Sequence, residues 1–292
     1  MTDATILFRD ALQSIYGPLD WLPEPDGEIH RFSVPGDKPS TLNGWYVLFL
    51  DGIASGAFGS WKTGGTSTWS SREPRNNHES ELVRQRIEQA RRQREAEQRQ
   101  RQLIAAGRAQ RWWRDARRTD PAHAYLVAKG IRAHSLRQRG DDLLIPLYVG
   151  GELVNLQRIA PGGEKRFLFG GRIKGAYSSL GRITPDTPLC VCEGWATGAT
   201  LHESGYTVAA AMNAGNLKPV ALALRARYPD IEIIIAGDDD RQTDGNPGRT
   251  AAHAAAVAAG CLVTFPEWPA NAPEHLTDFN DLANWSAAHG LA

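Results

Sequence analysis

Two short apolar runs constrain this chain more than any other feature. The first, Leu189-Cys190-Val191-Cys192, ends in Glu193-Gly194. The second, Ile231-Glu232-Ile233-Ile234-Ile235-Ala236-Gly237, ends in Asp238-Asp239-Asp240, about 45 residues after Glu193. Short runs of β-branched and apolar residues bounded by turn residues read as strands buried on both faces of a sheet. Each strand then delivers carboxylate at its C-terminal end, which is where open α/β sheets bind ligands. Two carboxylates about 4 Å apart repel by about 1 kcal/mol in water and about 4 kcal/mol at an effective dielectric of 20. Such a cluster calls for a cation, and Mg²⁺ suits it, because Mg²⁺ takes oxygen ligands and is usually held by one or two carboxylates plus phosphates. The competing reading makes Glu193 and the aspartate run loop residues that cap helices.

An apolar strand ending in Glu-Gly, a helix, then an apolar strand ending in Asp-x-Asp before a Gly-rich turn and another helix resembles the Toprim domain. That domain is shared by DnaG-type primases, topoisomerases and some nucleases. On that resemblance Glu193 takes the place of the family glutamate, and Asp238 and Asp240 take the Asp-x-Asp, with Asp239 between them. Met212-Asn213-Ala214-Gly215-Asn216-Leu217 and Asp278-Phe279-Asn280-Asp281-Leu282 are similar to segments of plasmid- and phage-borne primases. The resemblance implies that Glu193, Asp238 and Asp240 are both the catalytic residues and the ligands of Mg²⁺ or Mn²⁺.

Composition sets the outer limits. A chain of 292 residues, 41% hydrophobic, is long enough for two domains with their own cores. Its formal net charge is zero, so any nucleic-acid-binding surface has to be local. No apolar run approaches the roughly 18 residues that a membrane helix needs, and the N-terminus lacks a secretory layout, so a cytoplasmic protein with no membrane contact is expected. Three cysteines, Cys190, Cys192 and Cys261, are too few for a four-ligand zinc site, and all lie in predicted strands as core residues. The zinc-binding domain that DnaG-type primases commonly carry is therefore not expected in this chain.

The pattern divides the chain into four parts. Residues 1–75 read as a small β-rich module: a helix over Ala4 to Tyr16, then strands from Ile29 to Ser70, with Asp51-Gly52 as a hairpin signal. Its Trp45, Tyr46, Phe58, Trp61 and Trp69 beside Lys38 and Lys62 suit either a stacking surface for single-stranded DNA, a partner site, or simply the core of the module. Residues 76–118 form a basic helical connector. From His78 to Arg118 there are twelve Arg against six Asp or Glu, and between Glu88 and Gln102 the only apolar residues are Ala90 and Ala96, so the helix is expected to have no buried face. Residues 119–185 read as a helix ending at Gly130, then a hairpin over Leu143 to Ile159 turned by Gly150-Gly151, resembling the N-terminal part of a primase core. Residues 186–292 are the Toprim part, where strands alternate with helices as in a parallel sheet covered on both faces.

The fold expected is thus α/β, a Toprim-type parallel sheet covered by helices, preceded by a small mostly-β module and a helical connector. Arg158, Lys165, Arg166 and Lys174 are the cations expected to bind the phosphates of nucleoside triphosphates and template, with Arg158 and Lys165 foremost. The resemblance implies a DNA primase of a plasmid, phage or other mobile element, a nucleotidyltransferase making short primers on single-stranded DNA with a replicative helicase acting in trans. The alternatives are a metal-dependent Toprim nuclease and a non-catalytic single-stranded DNA-binding accessory protein. Asp278 is expected to cap a helix rather than bind metal.

Overall fold

A computed structural model describes residues 3–38, 41–184 and 187–291. The chain separates into two compact units, residues 1–100 and 101–292, and the division falls inside one long helix. The expected boundary at 185/186 lies outside the described residues.

In the first unit, helix α1 (Ala4–Tyr16) starts where the Asp3 carboxylate accepts from the Thr5 N–H at 3.0 Å, a standard N-terminal cap. Strands β1 (His30–Phe32), β2 (Gly44–Phe49), β3 (Ser55–Ser60) and β4 (Thr66–Ser70) pair antiparallel in that order. Side chains alternate across β2 and β3, and both faces are buried. Tyr46, Leu48 and Phe58 pack with Phe8 and Leu12 of α1. Trp45, Val47, Phe49 and Ala57 pack instead with Ala90 of α2 (Asn77–Asp115).

One expectation changes here, and one open choice closes. The helix α2 does have a buried face, since Ala90 is completely buried. Alanine lets the helix backbone approach the sheet, while arginines on either side lay their guanidinium planes on its rings: Arg86 over Phe49 at 5.0 Å, and Arg94 over Trp45 at 5.3 Å and over Trp61 at 5.5 Å. A hydrophobicity count sees none of this, because the covering side chains are charged. Trp45, Tyr46 and Phe58 are in turn 1–3% exposed, so these three rings form the core and offer no face to a base.

The second unit joins two five-stranded sheets. The antiparallel one has the order β5 (Arg117–Arg118), β6 (Arg137–Arg139), β7 (Asp142–Val149), β8 (Glu152–Ile159), β9 (Lys165–Phe167). The β7–β8 turn uses Gly150 and Gly151, both at positive φ, as a tight hairpin requires. A short helix, α3 (Ala124–Lys129), precedes β6 and ends at left-handed Gly130. The other sheet follows: β10 (Ser178–Leu180), β11 (Leu189–Cys192), α4 (Trp195–Glu203), β12 (Thr207–Ala210), α5 (Ala214–Arg227), β13 (Ile233–Ala236), α6 (Pro247–Ala259), β14 (Leu262–Thr264) and α7 (Phe279–Ala288). Its order is β10-β12-β11-β13-β14, parallel except for β10.

Period-two alternation splits this sheet between two cores. Leu189 and Val191 face α5 and α6 with Leu217, Leu224, Ala252 and Ala255. Cys190 and Cys192 face α4 and also meet Leu143, Ile145 and Ile159 from the antiparallel sheet. Burial alone pushes the Cys190 thiol up to about 11, and both cysteines act as small packed side chains. No described helix is long and apolar enough to cross a membrane.

Candidate active site

The C-terminal edge of the parallel sheet gathers the acids. β11 and β13 are hydrogen-bonded neighbours in register Cys192 to Ala236, so Glu193 and the Asp238–Asp240 run leave the sheet side by side. Gly237 makes that exit feasible: a Cβ there would lie 2.5 Å from the Phe265 ring and 2.6 Å from Ala252 Cβ. Glu193 precedes α4, and its carboxylate takes a hydrogen bond from the Ala214 N–H at the start of α5. The turn that brings Ala214 there puts Met212 at φ 73°, a left-handed conformation that is uncommon outside glycine and is held by its surroundings. Buried Asn216 locks the same turn: its Nδ2 donates to the Ala176 and Ala211 carbonyls, both at 2.8 Å, and its Oδ1 accepts from the Gly175 N–H at 2.8 Å.

Like charge accumulates at this edge. Burial, followed by the charges of Glu193, Asp278 and Asp240, pushes the Asp238 carboxyl up to about 8, with Lys165 opposing. Burial and Asp240 raise Glu193, against the pull of the Ala214 N–H and Lys165. Asp278 rises too, through burial and its neighbour Asp281. It also caps α7 as expected, accepting from the Asp281 N–H at 2.9 Å. Asp240 Oδ2 accepts from the Gly248 N–H at 2.8 Å, at the start of α6. Asp238 Oδ1, in contrast, is buried and has no hydrogen-bond partner among the described residues. A buried oxygen of this kind costs free energy until something positive meets it.

A hard divalent cation fits this oxygen-only set. The edge carboxylates are not drawn together within 4.8 Å as a group; among the described residues only Glu24, Asp26 and His30 are. That trio lies in the first unit, where Asp26 is occupied by the His30 ring at 2.9 Å and the Glu28 N–H at 2.9 Å. Mg²⁺ takes its oxygen ligands at about 2.0–2.1 Å and keeps several waters, so at this spacing the edge acids would hold it partly through those waters.

The four expected cations are divided by strand register. Residues paired across antiparallel strands share a face. Lys165 pairs with Ile159, on the face that packs against the parallel sheet, and both Glu193 and Asp238 feel its charge. Arg158 and Arg166 pair with each other, and Arg158 with Leu144, on the opposite face. There Arg158 Nε donates to Asp142 at 2.7 Å, and Arg158 and Arg166 line a cavity of about 230 Å³ with Asp142 and Glu164. Lys174 is exposed on the loop that Asn216 pins. Of the four, then, Lys165 has the strongest pull on Glu193 and Asp238.

Residues 188–287 match the Toprim domain family, so the carboxylate edge belongs to a Toprim domain. Over 278 residues the chain is 36% identical to a DNA primase TraC of Escherichia coli, covering 89% of this chain and 26% of that protein. A second Escherichia coli DNA primase TraC is 36% identical over 257 residues, covering 84% of this chain and 18% of its own length. The chain thus carries a Toprim domain over residues 188–287 and is homologous to part of DNA primase TraC, spanning about a quarter or less of the length of these relatives. Among solved structures it resembles the zinc-binding and RNA polymerase domains of Aquifex aeolicus primase, at 14% identity and a TM-score of 0.44, covering all of this chain and 83% of that one.

Proposed function

We propose that this chain carries the catalytic core of a DNA primase, joining nucleoside triphosphates into short primers on a single-stranded DNA template. The observation that carries the reading is the acidic edge of Glu193, Asp238 and Asp240, where Asp238 Oδ1 is buried without a hydrogen-bond partner among the described residues and Lys165 supplies the opposing charge. These three carboxylates would hold Mg²⁺ or Mn²⁺. When bound, the cation supplies Lewis-acid polarisation of the transferring phosphate and neutralises charge on the leaving pyrophosphate.

The chain's own groups do the rest. The Ala214 N–H on Glu193 and the Gly248 N–H on Asp240 fix two carboxylates from two helix starts, so they need not reorganise during the reaction. Lys165, on the inward face of β9, would take a triphosphate oxygen and hold the nucleotide in line. Lys174, on the neighbouring loop, extends the positive charge along the same edge. Arg158 and Arg166 serve the template backbone on the other face. The likeness of the segments over 212–217 and 278–282 to plasmid- and phage-borne primases favours a role in copying a mobile element in the cytoplasm, with a helicase supplied in trans.

Primer synthesis on single-stranded DNA with labelled ribonucleotides and Mg²⁺ tests the reading directly. Short labelled products are expected from the wild type and none above background from Asp238→Asn. Degradation of the template without products would instead mean a nuclease.

A further inference from the structure

Three aspartates follow β13, and the middle one does something different from its neighbours. Asp238 and Asp240 belong to the acidic edge, whereas Asp239 turns inward and is 4% exposed. Its Oδ1 accepts from Asn246 Nδ2 at 2.7 Å and from Arg249 Nη1 at 3.1 Å, and its Oδ2 accepts from Trp268 Nε1 at 3.1 Å. Its backbone N–H donates to the Thr277 carbonyl at 2.7 Å, next to Asp278. One residue therefore ties together the end of β13, the start of α6, the segment after β14 and the segment that carries Asp278.

Asn246 relays this grip to the edge. It sits at φ 40°, and its Oδ1 accepts from the Asp240 N–H at 2.9 Å and from the Arg249 N–H at 3.2 Å, capping α6. Two residues on, the Gly248 N–H holds Asp240 Oδ2, and a Cβ on Gly248 would lie 2.7 Å from the Asp238 carbonyl oxygen. The turn from Arg241 to Pro247 is thus pressed against both aspartates, and the Asp239–Asn246 pair keeps it there. Arg249 balances the charge of Asp239, which sets it apart from the acids on either side.

We infer that Asp239 is a positioning residue which, through Asn246, fixes the orientation of Asp238 and Asp240, so that cation affinity at the edge is set by a buried acid that does not touch the cation. The inference rests on the reading of Glu193, Asp238 and Asp240 as the cation ligands. Residues that orient metal ligands commonly alter affinity by about 10- to 100-fold when changed.

Mn²⁺ binding to the full chain, followed by electron paramagnetic resonance of the free ion, separates the possibilities. Asp239→Asn should weaken Mn²⁺ binding by about 10- to 100-fold, and in primer synthesis it should raise the Mn²⁺ concentration for half-maximal rate while saturating Mn²⁺ recovers kcat. The exchange Asp239→Asn with Asn246→Asp restores a donor facing an acceptor between positions 239 and 246, though not the Arg249 pair, and should recover part of the Mn²⁺ affinity. Two results would overturn the inference: wild-type Mn²⁺ affinity in Asp239→Asn, or a loss in Asp239→Asn that the exchange leaves uncorrected. Failure of the underlying site reads differently, because Asp238→Asn would then bind Mn²⁺ as tightly as the wild type.

Discussion

The first unit and the parallel-sheet edge handle charge in opposite ways. In the first unit charged groups are matched locally: Arg31 with Glu97 at 3.2 Å, Lys62 with Asp37 at 2.5 Å, Arg72 with Glu79 at 2.8 Å, and Arg86 with Asp51. Glu79, bonded by Arg72 and the Arg75 N–H, drops to about 2. At the sheet edge the shifts run upward, because acids there meet other acids and a buried wall. Matched charge is what a chain uses to hold an arrangement; unmatched like charge is retained where something outside the chain completes it.

Breaking the contrast at its strongest point gives the largest effect. Asp238→Asn or Glu193→Gln should lower the primer-synthesis rate by about a thousandfold, ~4 kcal/mol of transition-state stabilisation. In chelator the same variants should melt no lower than the wild type, since each removes repulsion rather than a partner. Near wild-type rates at ordinary Mg²⁺ would remove these residues from the site. In the first unit a comparable energy should appear as stability instead. Trp45→Ala empties the space under Arg94 and Ala90 and should cost about 3 kcal/mol in denaturant unfolding, with Mn²⁺ affinity unchanged. If its main effect were on template affinity, the ring would be a base platform after all.

The sequence carried the edge well and the faces badly. Strands β11 and β13 were legible because burial on both faces leaves continuous apolar runs, and their ends were marked by Glu193-Gly194 and Gly237-Asp238. The packing of α2 was hidden because its covering groups are arginine stems around one alanine. Arg158 and Lys165 looked equivalent as cations, but they stand on strands whose register places Leu144 opposite the first and Ile159 opposite the second. That register depends on how the loop between β8 and β9 closes. Asp239 read as a spacer in Asp-x-Asp; its role needs the left-handed Asn246, whose place opposite it arises only once the turn has folded.

Lys165→Gln sharpens the same point. Removing one charged hydrogen bond to phosphate costs about 1.5 kcal/mol, so KM for nucleoside triphosphate should rise roughly tenfold with Mn²⁺ affinity little altered. An unchanged KM would leave Lys165 as a counter-charge for the acids and nothing more.

The smallest effect is expected one residue further along β9. Arg166 follows Lys165 directly but faces the other way, toward Arg158, Asp142 and Glu164. Arg166→Gln should therefore leave KM for nucleotide unchanged. What should move is template binding: one fewer cation on the phosphates of a single strand lowers the slope of log affinity against log salt by about 0.7. Arg158, already held by Asp142 at 2.7 Å, should contribute less to that slope than Arg166 does. A rise in nucleotide KM equal to that of Lys165→Gln would mean that both faces of β9 reach one ligand, which strand alternation forbids unless β9 leaves its register with β8. Measuring the two neighbouring variants side by side thus tests both the register and the proposal that nucleotide meets one face of the sheet and template backbone the other.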